Sequence, residues 1–169
     1  MLRKSKMSKG KAKAADELDL VLERSVKVPA RILWKAWTVP EHLEKWFCPL
    51  PWKASEFTIE LHPGGAFSSV MRGPAGEVMD NKGCYLEVVE NKRLVWTSAL
   101  TGGYRPAHAP FVPFTAIITF EEAGGVTHYK VRALHGDAAI CKQHAEMGFH
   151  DGWGKAFDQL IAMSGEIEG

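Results

Sequence analysis

The feature that most restricts the fold of this chain is a run of short strand-like segments between residues 54 and 134. Turn-forming residues interrupt the run at HPGG (62–65), GPAG (73–76), Glu90–Lys92 and Ala123–Gly125. Because these connections are too short to hold crossover helices, the pattern predicts an antiparallel meander and not a parallel sheet. The six predicted strands are 54–61, 66–72, 77–89, 93–100, 114–122 and 126–134.

Helical segments flank this run. Residues 18–28 alternate in polarity, which predicts a first strand. The next two segments, Ala30–Thr38 and Glu41–Trp46, contain no helix breaker and predict two short helices. After the run, Asp137 is a suitable N-cap for a long helix that ends near Ser164. A sheet with one long helix laid in its concavity buries the apolar sides of both. The sequence therefore predicts an α+β fold with a curved antiparallel sheet of about seven strands, two short helices after strand one, and a long C-terminal helix across the sheet.

Length and charge limit the number of domains and the kinds of partner. A chain of 169 residues with 46% hydrophobic content suits one domain, which we predict over residues 17–169. Residues 1–16 hold six Lys or Arg and one acid, which predicts a disordered basic tail or, as the alternative, an arm for nucleic acid or a membrane. The remainder has 15 bases and 19 acids, so nucleic acid is not the expected partner.

Several signals and motifs are missing from the sequence. No apolar run is long enough for a signal peptide or a membrane-spanning helix, which predicts a cytoplasmic protein without a membrane partner. Cys48, Cys84 and Cys141 are far apart and lack CxxC spacing, which predicts reduced thiols. The motifs GxSxG, HExxH and the Walker loop do not occur. We therefore predict no catalytic residue, no metal and no cofactor.

Four segments resemble, in the same order, the signatures of a known family. They are PARILWKAWTVPEHLEKWF (29–47), HPGG with the strand after it (62–71), GCYLEVVENKRLVWT (83–97) and EMGFHDGWGKAFDQL (146–160). On these segments the chain resembles the activator of Hsp90 ATPase homologue-like family, within the START-like superfamily. The resemblance implies a helix-grip fold with a cavity between the sheet and the long helix. It determines the fold far better than the function.

The predicted long helix carries an apolar stripe that continues into polar residues. The stripe contains Trp153, Phe157, Leu160 and Ile161. Toward the N-terminus, Glu146 and His150 fall on the same face, with Met147 near its margin. One interpretation is structural: His150 bonds a backbone carbonyl, and Glu146 reaches past the helix end to water. The other is that both side chains line a cavity and orient the polar end of a ligand.

Large side chains on the strands and at their ends supply the rest of the predicted site. They alternate with polar residues, but the sequence alone does not decide which face of the sheet is concave. The predicted ligand-binding residues are Trp46, Phe67, Met71, Trp96, Phe114, Glu146, Met147, His150 and Trp153. The segment Thr101–Pro113 contains two Gly and three Pro, and it is either a lid over the site or a plain hairpin connection.

These observations favour non-catalytic binding of a small hydrophobic or amphipathic molecule between the sheet and the C-terminal helix. The first alternative is a protein-partner module that regulates an Hsp90-type chaperone. It is weakly supported, because the eukaryotic co-chaperone has a separate domain where this chain has the basic residues 1–16. The second alternative is a cyclase-like or hydrolase-like enzyme that uses Glu146 and His150. An enzyme is not the favoured interpretation, and a homodimer is left open.

Overall fold

A computed structural model describes residues 17–168, so the predicted tail at residues 1–16 lies outside the described residues. The strands are β1 (Asp19–Val26), β2 (Lys53–Ile59), β3 (Phe67–Arg72), β4 (Val78–Asn81), β5 (Cys84–Val89), β6 (Arg93–Thr97), β7 (Leu100–Thr101), β8 (Arg105–Pro106), β9 (Thr115–Ala123) and β10 (Val126–Leu134). The α-helices are α1 (Ala30–Thr38), α2 (Pro40–Trp46), α3 (Ala138–Glu146) and α4 (Phe149–Met163). A short 3-10 helix follows at Ser164–Glu166.

The strands form one large sheet and a smaller one beside it. The larger sheet has the order β1-β10-β9-β6-β5, and the smaller has the order β2-β3-β4. A bridge between Ala66 and Cys84 joins them, and β7 pairs with β8 in a separate hairpin. Every strand pair within residues 17–168 is antiparallel, as the short connections predict. The predicted α+β class is confirmed.

Residues 17–168 form ten strands, where the sequence predicts about seven. The segment predicted as either a lid or a plain hairpin connection holds most of the β7–β8 hairpin. The predicted strand 77–89 divides at Gly83, where the chain passes from the smaller sheet to the larger one. A Cβ at Gly83 would lie 3.0 Å from the carbonyl oxygen of Thr97 and 3.1 Å from that of Phe67. Glycine therefore permits a crossing that is too close for an ordinary side chain.

The hydrophobic core lies between one face of the larger sheet and the helices α1, α2 and α4. Antiparallel register places Tyr85 opposite Trp96, and Trp96 opposite Ala116 on the next strand. All three are buried, so their side chains share the inner face of the sheet. Farther along the same face, Tyr129 of β10 stacks on Phe157 of α4 with ring centroids 4.1 Å apart. The structure thus decides which face is covered by helices.

The predicted long C-terminal helix is interrupted between α3 and α4, which corrects the expectation of one continuous helix. Asp137 caps α3 as predicted, because its carboxylate accepts a hydrogen bond from the Ile140 amide at 2.8 Å. After α3, Gly148 adopts a left-handed backbone with φ of +93° before α4 begins. This conformation ends a helix and is tolerated best by glycine. Residues before Gly148 therefore do not continue the face of α4.

Helix α4 is the long helix that packs on the core and is tied to the loop after α2. The predicted apolar stripe is confirmed, since its members are buried or half-buried against the core: Trp153, Phe157, Leu160 and Ile161. On one flank, the Gln159 amide donates to the carbonyl oxygens of Trp46 at 3.2 Å and Cys48 at 2.9 Å. Its oxygen accepts from the Leu50 amide at 3.0 Å. One side chain thus fixes three backbone groups of this loop.

Candidate functional site

A cluster of aromatic side chains fills the space between the larger sheet and α4. The aromatic cluster is defined here as Trp37, Trp46, Phe47, Phe67, Tyr85, Trp96, Phe114, Phe149 and Trp153. The Trp153 ring is nearly parallel to those of Trp37 and Trp96, with centroids 6.0 and 6.4 Å away. These separations are typical of offset stacking. Five predicted binding residues come together in this cluster: Trp46, Phe67, Trp96, Phe114 and Trp153.

Two buried polar atoms of the aromatic cluster have no hydrogen-bond partner within residues 17–168. They are Oη of Tyr85 and Nε1 of Trp96. Phe67 contacts both rings, with centroids 5.2 Å from Tyr85 and 5.0 Å from Trp96. Burial raises the pKa of Tyr85, so its phenol keeps its proton and can donate. Because an unpartnered buried donor costs about 1–3 kcal/mol, the two atoms favour an acceptor brought by another molecule.

A β-bulge places Tyr85 in the aromatic cluster. Regular pairing back from the β5–β6 turn would put Leu86 opposite Trp96. The register instead shifts between Tyr85 and Glu87, so Leu86 is the extra residue and Tyr85 faces Trp96. A bulge of one residue exchanges the two faces of a strand beyond it. Tyr85 is not among the binding residues predicted from the sequence, because no local pattern marks the bulge.

A pair of buried histidines borders the aromatic cluster where α3 approaches the end of β10. His135 Nε2 and His144 Nδ1 are 2.8 Å apart, and His135 Nδ1 lies 2.8 Å from the carbonyl oxygen of Leu18. The His144 ring contacts Phe114 and Phe149, with centroids 4.7 and 5.2 Å away. Burial, with a smaller contribution from His135, lowers the pKa of His144 to about 4. His144 is therefore neutral under ordinary conditions.

Sequence reasoning missed this histidine pair. Neither His135 nor His144 is among the predicted binding residues. The two residues are nine positions apart on either side of the turn before α3. No helical or strand period relates them, so only the packing of α3 against the end of β10 reveals the contact. If the helix is taken to end at Glu146, His144 falls on its buried face. That position is the sequence signal that could have indicated the contact.

Three predicted binding residues lie on the outer surface, so their predicted orientation is wrong. The Glu146 side chain is 68% exposed and pairs with Lys142 at 3.9 Å, and Met147 is 50% exposed, because the helix break rotates both away from the α4 stripe. His150 is exposed because the first turn of α4 lies at the edge of the sheet. There its Nε2 donates to the carbonyl oxygen of Val21 at 3.1 Å, as the structural interpretation expects. Glu146 and His150 therefore do not form an interior pair.

Met71, the remaining predicted residue, lies in β3 outside the aromatic cluster. It is half-buried opposite Met79 of β4. Its neighbour Arg72 borders an open depression of about 460 Å³, with Lys53 and Ser55 on the same rim. The depression is open to water, and charged or polar side chains share its walls with Pro51, Ala54 and Gly73. The depression therefore differs in character from the apolar interior that the sequence predicts for the ligand.

Metal ligands and thiols offer no second centre in the described part of the chain. No three His, Cys, Asp or Glu side chains of residues 17–168 converge as a metal site. Cys48, Cys84 and Cys141 are buried and free, and burial raises the pKa of Cys48 to about 11. Between residues 17 and 168, we also find no helix with both the length and the apolar character needed to cross a membrane.

Comparison with known proteins places this arrangement in a family. The sequence profile of the Activator of Hsp90 ATPase homolog 1-like proteins matches residues 27–165. The chain belongs to this family. The resemblance seen in the four sequence segments is thereby confirmed, and so is the helix-grip fold that it implies. Membership assigns the chain to START-like modules of the ligand-binding or Hsp90-regulator type without selecting a ligand.

Solved structures of similar proteins agree with this assignment. A protein of Nitrosomonas europaea is 44% identical, with a TM-score of 0.85 over 89% of this chain and 96% of that one. A protein of Mycobacterium smegmatis is 25% identical, with a TM-score of 0.74 over 88% and 91% of the two chains. A Silicibacter pomeroyi protein of the same family designation shares the fold, at 19% identity and a TM-score of 0.63 over 85% and 95%. No curated protein matches the sequence.

Proposed function

We propose that this family member binds, without catalysis, a small planar apolar molecule that carries a hydrogen-bond acceptor. The observation that supports the proposal is the cross-strand pair of unpartnered donors, Tyr85 Oη and Trp96 Nε1, on the inner face of the sheet. The candidate acid and base, Glu146 and His150, lie on the outer surface, which favours binding over reaction. The site is the aromatic cluster.

The chemistry of the cluster supports this kind of ligand. Its walls are aromatic rings, which contact flat apolar molecules over a large area. The two donors select a carbonyl, ether or hydroxyl oxygen, because such an oxygen accepts and an alkyl group does not. Trp153 is half-buried, whereas Trp37 and Trp96 on either side of it are buried. We therefore expect the ligand to enter beside Trp153 by displacing its ring.

The first test compares two buried tyrosines that differ in their partners. Tyr129 Oη accepts a hydrogen bond from Trp37 Nε1 at 3.1 Å, whereas Tyr85 Oη has no partner in the described part of the chain. Tyr85→Phe should leave the free energy of unfolding equal or higher, because it removes an unsatisfied donor. Tyr129→Phe should cost about 1–3 kcal/mol, because it leaves the Trp37 donor unsatisfied. Urea titration of both variants measures the difference.

The second test measures ligand binding on the same variants. The probe is 2-acetonaphthone, an aromatic ketone, and naphthalene is the matched molecule without an acceptor. Binding is followed by quenching of tryptophan fluorescence. Tyr85→Phe should weaken 2-acetonaphthone binding roughly three- to tenfold, the size of one hydrogen bond, and leave naphthalene binding unchanged. Tyr129→Phe should leave the ratio of the two affinities as in the wild type. Equal losses for both probes in Tyr85→Phe, or no binding of either probe to the wild type, would contradict the proposal.

The natural ligand can be sought directly by native mass spectrometry of the purified protein. A bound small molecule adds a defined mass that disappears when the protein is unfolded. If the proposal holds, the released molecule contains a flat apolar ring system and an acceptor oxygen. The same measurement on Trp96→Phe, which removes one donor and keeps an aromatic ring, should show a lower fraction of the bound form.

A further inference from the structure

The His135–His144 pair has a fixed hydrogen-bond polarity. The carbonyl oxygen of Leu18 can only accept, so His135 Nδ1 carries the hydrogen and donates across their 2.8 Å separation. In a neutral ring the other nitrogen is then an acceptor, so His135 Nε2 accepts from Nδ1–H of His144. The proton of neutral His144 therefore lies on Nδ1. Its Nε2 carries a free lone pair and acts as an acceptor.

This acceptor belongs to a ring that lies beside the aromatic cluster. His144 is buried and contacts Phe114, which in turn contacts Trp96 with centroids 5.3 Å apart. It also contacts Phe149, whose ring lies 5.7 Å from that of Trp153. Within residues 17–168, the hydrogen bonds of the His144 ring involve Nδ1 and leave Nε2 without a protein partner, and Nε2 is not among the fully buried unpartnered atoms of these residues. A polar atom with one defined role is thus held at the margin of the site.

We propose that His144 Nε2 is a second polar anchor for the ligand and accepts a hydrogen bond from a hydroxyl or N–H group. The inference rests on the proposed function and refines the ligand class. Tyr85 and Trp96 donate to the ligand, whereas His144 accepts from it. The Phe114 ring lies between Trp96 and His144. The donor pair and His144 therefore bind different positions of one ligand molecule. The ligand class is a hydroxylated aromatic ketone or a similar planar molecule with a separate donor and acceptor.

The test uses two probes that differ only at the donor. The compound 6-acetyl-2-naphthol carries the ketone and a hydroxyl, and 6-acetyl-2-methoxynaphthalene carries the same ketone with the hydroxyl capped. In protein labelled with ¹⁵N, the nitrogen shifts of His144 should identify the Nδ1–H tautomer before any probe is added. The hydroxyl probe should then shift the Nε2 signal of His144, and the methoxy probe should leave it in place.

A variant supplies a second measurement. His144→Phe keeps an aromatic ring but removes the acceptor, so it should lower the affinity ratio of hydroxyl to methoxy probe roughly three- to tenfold. The comparison of ratios cancels the different hydrophobicity of the two probes. The matched control is His108→Phe at an exposed histidine, which should leave the ratio unchanged. If His144→Phe does not fold, the nitrogen shifts of the wild-type protein still decide the matter.

The outcomes separate the two proposals. An Nε2–H tautomer at His144, or a bound hydroxyl probe that leaves the Nε2 signal in place, would overturn this inference alone. Wild-type protein that binds neither 2-acetonaphthone nor the two acetyl probes would overturn the proposed function and this inference with it. The Nδ1–H tautomer, a selective Nε2 shift and the loss of preference in His144→Phe together support the anchor.

Discussion

Lowering the pH should destabilise the protein through His144. The pKa of this buried ring is about 4 in the folded chain, against an ordinary value of 6.5. Between these two values the unfolded chain binds a proton that the folded chain excludes, so the free energy of unfolding decreases as the pH falls. The stability associated with neutral His144 is complete above about pH 6.5 and is lost by about pH 4.

The size of this effect follows from the lowered pKa. One pKa unit corresponds to about 1.4 kcal/mol, so the lowering from 6.5 to about 4 corresponds to about 3–4 kcal/mol of unfolding free energy. Urea titrations at several pH values between about 7.5 and 4.5 measure it, although carboxylates also titrate toward the acid end. His144→Gln isolates the contribution of the ring, because the Gln amide can still donate to His135 but does not titrate. The wild type should lose about 2 kcal/mol more than this variant over the range.

A control distinguishes the buried ring from a general histidine effect. His108→Gln changes an exposed histidine, so this variant should follow the pH dependence of the wild type. The absolute stability of His144→Gln is expected to differ from the wild type at every pH, and only the slopes are compared. If His144→Gln retained the wild-type slope, the ring would titrate normally in the fold, and the argument from burial would be wrong.

Three further predictions concern the backbone and the packing. Gly148→Ala should lower the free energy of unfolding by roughly 1–2 kcal/mol, because φ is +93° there; an unchanged Tm would contradict the helix break. Gln159→Leu should cost about 1–3 kcal/mol in urea, because it leaves the carbonyls of Trp46 and Cys48 without their donor. Trp153→Ala should lower the free energy of unfolding by about 2–4 kcal/mol in the same assay, less than for a fully buried Trp. A loss below about 1 kcal/mol would mean that the stacking of Trp153 is unimportant.

The parts of the fold that depend on local sequence were predictable. The last two strands were predicted at 114–122 and 126–134, and they lie at Thr115–Ala123 and Val126–Leu134. Alternating polarity and turn residues act within a few positions, so these boundaries need no knowledge of the rest of the chain. The N-cap at Asp137 was predictable for the same reason.

The site was harder to predict because it depends on two local irregularities. The extra residue Leu86 turns Tyr85 to the inner face, and Gly148 breaks the phase of the C-terminal helix. A helical wheel extends one phase through the break, so it assigned Glu146 to the buried face. Five aromatic residues of the candidate site were nevertheless among those predicted, because large apolar side chains are buried under almost any register. The polar atoms of the site could not be found in this way.

Two unpartnered donors in a core are a substantial cost for a domain of this size. At about 1–3 kcal/mol each, they compare with a typical total stability of 5–15 kcal/mol. A Phe at position 85 would pack equally well, because it would keep the stack on Phe67. It would also remove one of the two unpartnered donors. A ligand with an acceptor recovers this cost on binding, whereas a purely apolar ligand does not. If the proposed function holds, the same two side chains that lower the stability of the free protein would supply its discrimination between ligands.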